Sequence, residues 1–218
     1  MNKHLLLGIV LGSILFSILP LASASAGNRI IADYRNGLSP AWQSKSFAGQ
    51  THYTVEQTAD AAWIRADSRA AASGLFHKID YDPARTPILA WSWKVDHVLA
   101  KGDARHKSGD DYAARIYVVF PSWLFWKTRA LNYIWANKLP QGSMIANAFT
   151  ANAMMIAVRS GPQQTGQWLN EERNIREDFK KAFGEEPPRV GAIAIMTDTD
   201  NTGESASACY GPISIGDR

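Results

Sequence analysis

Asp198-Thr199-Asp200-Asn201-Thr202-Gly203 sets oxygen-bearing side chains at the first, third and fifth places of a short loop and glycine at the sixth. This is the opening half of an EF-hand calcium loop. The twelfth place, where a bidentate Glu would close the shell, holds Cys209, and the flanking segments read as strands, so an EF-hand is excluded. Two readings remain. One is a turn in which Asp and Asn bond their own backbone and Gly takes a positive φ. The other is a calcium turn in which Asp198, Asp200 and Thr202 give three or four of the six to eight oxygens that Ca²⁺ takes. A structural Ca²⁺ is the one cofactor this pattern suggests.

Asp110 and Asp111 open a second polar site, with Arg115 four residues on. Strand alternation puts Asp111 and Arg115 on one face among Ala113, Tyr117 and Val119, and a charge on an apolar face must be paired or wet. Arg115 therefore calls for a carboxylate from a neighbouring strand, Asp198 or Asp200, in a network that fixes register. A catalytic reading would draw on Asp111, Asp198, Asp200 or Glu204 as an acid–base pair across a cleft roughly 5–10 Å wide. No motif supports it. The E-x-D-x-E strand of one group of jelly-roll glycosidases is missing, as are the Arg, Gln-x-His and Tyr-x-Lys strands of jelly-roll lyases, a G-x-S-x-G elbow and a phosphate-cradling glycine loop. His52, His77, His97 and His106 lack metal-ligand spacing, and the lone Cys209 reads as a small buried residue.

Eight tryptophans are the other unusual feature. Trp91 and Trp93 share a face with Leu89 and Val95, which reads as core. In "PSWLFWKTRALNYIW" four large apolar residues run consecutively from Trp123 to Trp126, so they cannot all point inward. Trp123, Trp126, Tyr133 and Trp135 are the expected ligand platform, for a glycan or another component of a cell envelope. The competing reading is a satellite core beneath a helix.

Most segments that would hold these residues read as short strands, with period-two alternation in Thr51–Glu56, Ser73–Ile79, Ile88–Val95 and Tyr112–Phe120. The strand segments are Thr51–Glu56, Ala62–Ala66, Ser73–Ile79, Ile88–Val95, Tyr112–Phe120, Ala130–Asn137, Ala153–Gly161, Arg189–Asp200 and Ala206–Ile215. One segment, Asn170–Phe183, puts Ile175, Phe179, Ala182 and Phe183 on a helical face, with Asn170 as N-cap, Glu171 and Glu172 at the positive end, and Gly184 as the stop. Many short strands and one helix predict a mainly all-β chain, an antiparallel β-sandwich or jelly roll with one amphipathic helix near 170–183.

The first residues, "MNKHLLLGIVLGSILFSILPLASASAGNR", combine a short basic head, an apolar run and an A-x-A site, the pattern of a secretory signal peptide over 1–26. The run is short for a bilayer span of about 20 residues. A single domain over 27–218 is expected, monomeric, in the periplasm or secreted, with no transmembrane span after the signal. A formal net charge of +3 and the absence of a dense basic run argue against a nucleic-acid partner.

"WSWKV", "GDDYAARIYVVF", "NYIWAN", "IREDFKKAFGEEPP" and "IAIMTDTDNTGESASACYGPISI" together resemble the exported bacterial family catalogued as domain of unknown function 3047 (DUF3047). The resemblance implies an exported single domain and brings no catalytic residues with it. The opening "IADYRNGLSPAWQSKSFAGQTHYTVEQ" and closing "YGPISI" look like a carbohydrate-binding, galactose-binding-like jelly roll, although the usual acidic pair before the last strand is Gly211-Pro212 here. The function expected is non-catalytic carbohydrate binding through exposed aromatics. The alternatives are a carbohydrate-active hydrolase or lyase, and an envelope scaffold or membrane-surface protein.

Overall fold

A computed structural model describes residues 27–217; the expected signal segment lies outside them. The elements in chain order are β1 (Arg29–Ala32), β2 (Trp42–Ala48), β3 (His52–Gln57), β4 (Ala62–Arg69), β5 (Ala72–Tyr81), β6 (Ile88–Val95), β7 (Arg115–Phe120), β8 (Arg129–Ala136), β9 (Met144–Ala146), β10 (Ala153–Ser160), β11 (Leu169–Asn174), α1 (Ile175–Phe183), β12 (Val190–Asp198) and β13 (Ser205–Gly216).

The strands form two sheets. One has the order β11-β6-β13-β4-β3, with β1 added along the second half of β13. The other has the order β2-β5-β12-β7-β8-β10-β9. Period-two alternation decides what lies between them. Ile64, Leu89, Trp91, Trp93, Val95 and Ile213 from the first sheet are buried in one cluster with Leu75, Ile116, Val118, Leu131, Tyr133, Trp135 and Ile195 from the second. Indoles bridge the layers: Trp91 lies 5.3 Å from the Tyr133 ring and Trp93 lies 5.9 Å from Trp135. The chain is thus a mainly β sandwich, as its pattern predicts.

Three expectations need correction. The sheets are not wholly antiparallel, because β10 runs parallel to β8. The long connection through β9 allows that crossover, which a hairpin turn could not make. The strand expected over Tyr112–Phe120 begins only at Arg115. Upstream, side chains interrupt the ladder: the Tyr112 amide donates to the Asp198 carboxylate and the Arg115 amide to the Tyr210 hydroxyl, while the Tyr112 and Ala114 carbonyls still accept from the amides of Asp198 and Trp135.

The helix starts four residues later than expected. Leu169–Asn174 is a strand against β6, where Glu171 accepts the Trp93 indole N–H at 3.0 Å and pairs with Arg159. Asn174, not Asn170, is the N-cap, its side chain accepting from the Glu177 amide at 3.1 Å, and Glu177 and Asp178 take the place expected for Glu171 and Glu172. Gly184 ends the helix in the left-handed conformation. Replacing Asn174 with Ala is expected to cost about 1 kcal/mol, read as a lower urea midpoint with an unchanged slope. An unchanged midpoint would mean that packing of Ile175 and Phe179 alone holds the helix start.

Candidate functional site

The outer face of the seven-stranded sheet carries a cleft of about 490 Å³ lined by Phe47, Asp110, Arg115, Tyr117, Phe149, Met196, Asp198 and Asp200, among others. Register explains the floor. Met196 lies between Gly74 and Arg115, and Ala194 between Phe76 and Tyr117, on three adjacent strands. A Cβ at Gly74 would stand 3.0 Å from the Phe76 ring and from the Ile195 carbonyl oxygen, so glycine lets that ring lie back along the sheet. Phe76 then meets Phe47 at 6.3 Å and Tyr117 at 6.4 Å, forming an aromatic row. Phe47 comes from β2 at one edge of the sheet. Phe149 comes from the loop after β9 at the other edge. Both rings are more than half exposed.

The polar part is assembled by three segments. β12 ends on Asp198, β7 begins on Arg115, and the loop before β7 brings Asp110 and Asp111. That loop closes tightly at Gly109, where a Cβ would fall 2.5 Å from the Asp103 amide nitrogen. Arg115 pairs with Asp198, both buried, and its guanidinium lies between the Tyr112 and Tyr117 rings at 5.2 and 5.1 Å. The Arg115 Nε has no hydrogen-bond partner. Asp110 accepts from the Tyr112 hydroxyl and from Asn147 Nδ2. Asp111 is fully buried and closes the turn after β12, accepting from the amides of Asn201 and Thr202.

Carboxylate oxygens of Asp111, Asp198 and Asp200 lie within 4.8 Å of one another. Burial pushes the Asp198 carboxyl well above the usual range. Arg115 opposes that shift, while Asp111, Asp110 and Asp200 add to it. Asp200, on the rim, is raised by burial and by Asp111. Of the residues singled out for a calcium turn, Asp198 and Asp200 belong to this cluster. Thr202 uses its amide on Asp111 and its hydroxyl to accept from the Glu204 amide. Glu204 stands apart, capping the amides of Ala100 and Lys101 at 3.0 and 2.7 Å.

The expected aromatic platform divides. Tyr133 and Trp135 are buried between the sheets, where the Tyr133 hydroxyl donates to Asp178 and the Trp135 indole to the Gly161 carbonyl. They cannot meet a ligand. Trp123 and Trp126 are 91% and 58% exposed, with Phe125 between them at 79%, on the turn joining β7 to β8. A second opening of about 580 Å³ beside that turn shares no lining residue with the acidic cleft. Sequence reading missed Phe47 and Phe149. Their only local signal is a lone large apolar residue among polar and small ones, in "QSKSFAG" and "NAFTAN".

A model of the family described as "Protein of unknown function (DUF3047)" matches residues 40–214. No curated protein matches the chain. Similar solved structures include the K1 cleaved adhesin domain of Lys-gingipain from Porphyromonas gingivalis W83, at 11% identity and a TM-score of 0.45, covering 88% of this chain and 98% of that one. They also include a family 30 carbohydrate-binding module of a Clostridium thermocellum cellulosomal cellulase, at 9% identity and a TM-score of 0.45, covering 80% and 90%. A xylan-binding module, CBM15, matches at 14% identity and a TM-score of 0.37 over 87% and 97%. At this level of similarity none of them bears on function.

Proposed function

The chain belongs to the DUF3047 family, and on that footing we propose that its outer-face cleft binds a carbohydrate of the cell envelope or the extracellular medium without transforming it. One observation carries the reading: exposed Phe47 and Phe149 flank a floor of Tyr117, Arg115, Asp198 and Asp200 in a single cleft. Sugars present apolar C–H faces and dense hydroxyls, so rings beside a few fixed donors and acceptors suit them. The carboxylates favour binding over catalysis. Asp111 is taken up by the turn and Asp198 by Arg115, and the three acids crowd within 4.8 Å, closer than the roughly 5–10 Å that two carboxyls need across a sugar. Under this reading the protein works in the periplasm or outside the cell, as a monomer.

A glycan array followed by calorimetry tests it. Phe47→Ala and Phe149→Ala are each expected to weaken binding about ten-fold, while Trp123→Ala leaves it unchanged. Undiminished binding by the Phe47→Ala/Phe149→Ala variant, or no binding to any neutral or acidic polysaccharide, would remove the proposal.

A further inference from the structure

The turn between β7 and β8 is separate from that cleft. It carries Trp123, Phe125 and Trp126, all exposed, and Lys127. We propose that this turn is a membrane-surface anchor that inserts its rings into the interface of an anionic lipid bilayer.

Ring geometry favours a lipid interface over a sugar. The Phe125 and Trp126 rings stand at 84° to each other, 5.1 Å apart. Set edge to face, these two rings offer no shared flat platform for a rigid pyranose. They do suit a deformable medium that closes around them, and indoles prefer the level of the headgroups, with the ring in an apolar layer and the N–H near water.

The backbone of the turn is prepared for such a layer. An amide that enters a lipid interface without a partner is costly. Here the Ser122 amide donates to the Thr128 hydroxyl, Leu124 to the Ser122 hydroxyl, Lys127 to the Leu124 carbonyl and Thr128 to the Phe125 carbonyl. Asn152 Nδ2 donates to the Trp126 carbonyl at 2.7 Å. The rings are thus held forward on a turn that satisfies much of its own backbone.

Charge supplies the sign of the surface. From Tyr112 to Asn170 the chain has no Asp or Glu, and its charged residues are Arg115, Lys127, Arg129, Lys138 and Arg159. The three arginines pair with Asp198, Glu185 and Glu171. Among the described residues Lys127 forms no ion pair, and it stands beside the exposed rings with its charge unspent. The neighbouring opening is lined by Ser122, Lys127, Arg129, Asn152 and Glu185, with the Glu185 carboxylate paired to Arg129 and Lys127 left to meet a phosphate headgroup.

The full chain, mixed with vesicles of phosphatidylcholine and acyl-brominated phosphatidylglycerol, tests this. Bromine quenches an indole only on close approach, and the Trp123→Ala/Trp126→Ala variant separates the turn's signal from that of exposed Trp168. Tryptophan fluorescence is expected to fall in these vesicles and to stay unchanged in brominated phosphatidylcholine alone. Phe125→Ala keeps both indoles and should weaken quenching several-fold. Lys127→Ala should weaken it about five-fold. Trp123→Ala/Trp126→Ala should abolish it while six tryptophans remain. No quenching, equal quenching in Phe125→Ala, or a turn that responds to soluble polysaccharide and not to vesicles would overturn the proposal. These residues lie outside the carbohydrate cleft, so either proposal can fail without the other.

Discussion

Arg115→Met is expected to destabilise the fold by about 3–5 kcal/mol at neutral pH and to lower the melting midpoint by roughly 10 °C. The guanidinium is the one cation within a buried set that includes Asp110, Asp111 and Asp198. Methionine keeps the bulk between the Tyr112 and Tyr117 rings but leaves Asp198 buried without its counter-charge. The pH dependence gives the effect its signature. Burial raises the folded Asp198 pKa above its unfolded value of 3.8, with Arg115 opposing the shift, so folding favours the protonated carboxyl and stability falls as pH rises through that window. Loss of Arg115 raises the folded pKa further. The deficit should therefore shrink as pH falls through the Asp198 titration, where the carboxyl takes up a proton and no longer needs the counter-charge. Adding Asp198→Asn should restore a large part of the loss at neutral pH, because it removes the orphaned charge and keeps an acceptor for the Tyr112 amide. A midpoint within a degree of wild type, or a deficit independent of pH, would show that the pair does not hold this end of the sheet.

Trp135→Ala should cost about 3–5 kcal/mol, whereas Trp123→Ala should change stability by no more than about 0.5 kcal/mol. The two residues are close in sequence and opposite in environment. Trp135 is 1% exposed, packs on Trp93 across the layers and satisfies the Gly161 carbonyl. Truncation opens a cavity between the sheets and leaves that carbonyl without its donor. Trp123 is in water, so its removal costs little packing. Urea unfolding of the two variants side by side decides the matter. Comparable midpoints would contradict the division of the aromatic segment into core and surface.

That division shows where sequence reading succeeds. Leu131, Tyr133 and Trp135 alternate along β8 and face the core together, so the period-two rule could have separated them from Trp123 and Trp126. Ile88–Val95 was legible to the residue because its alternation is uninterrupted and both its ends are turns. The helix start was not, since Asn170 and Asn174 are both competent N-caps and only the pairing of Glu171 with Trp91 across the strands chooses between them. The parallel β8–β10 pair and the meeting of Phe47 with Phe149 join segments far apart in the chain, and no local pattern records such meetings. The demand that Arg115 find a carboxylate was readable from burial alone. That it is Asp198 follows from the register of β12 on β7, which places Met196 opposite Arg115.

β13 forms ladders with β6 along one side and with β4 and β1 along the other. It is synthesised after every one of its partners. Until it emerges, β3–β4 and β6–β11 are two ribbons with open edges and no strand between them, and β1 has nothing to pair with. The six-stranded layer therefore cannot be completed piece by piece behind the ribosome; it closes in one late step that joins residue 29 to residue 215. Such long-range closure is slow, and a chain that stops short of β13 is left with unpaired edges that invite aggregation.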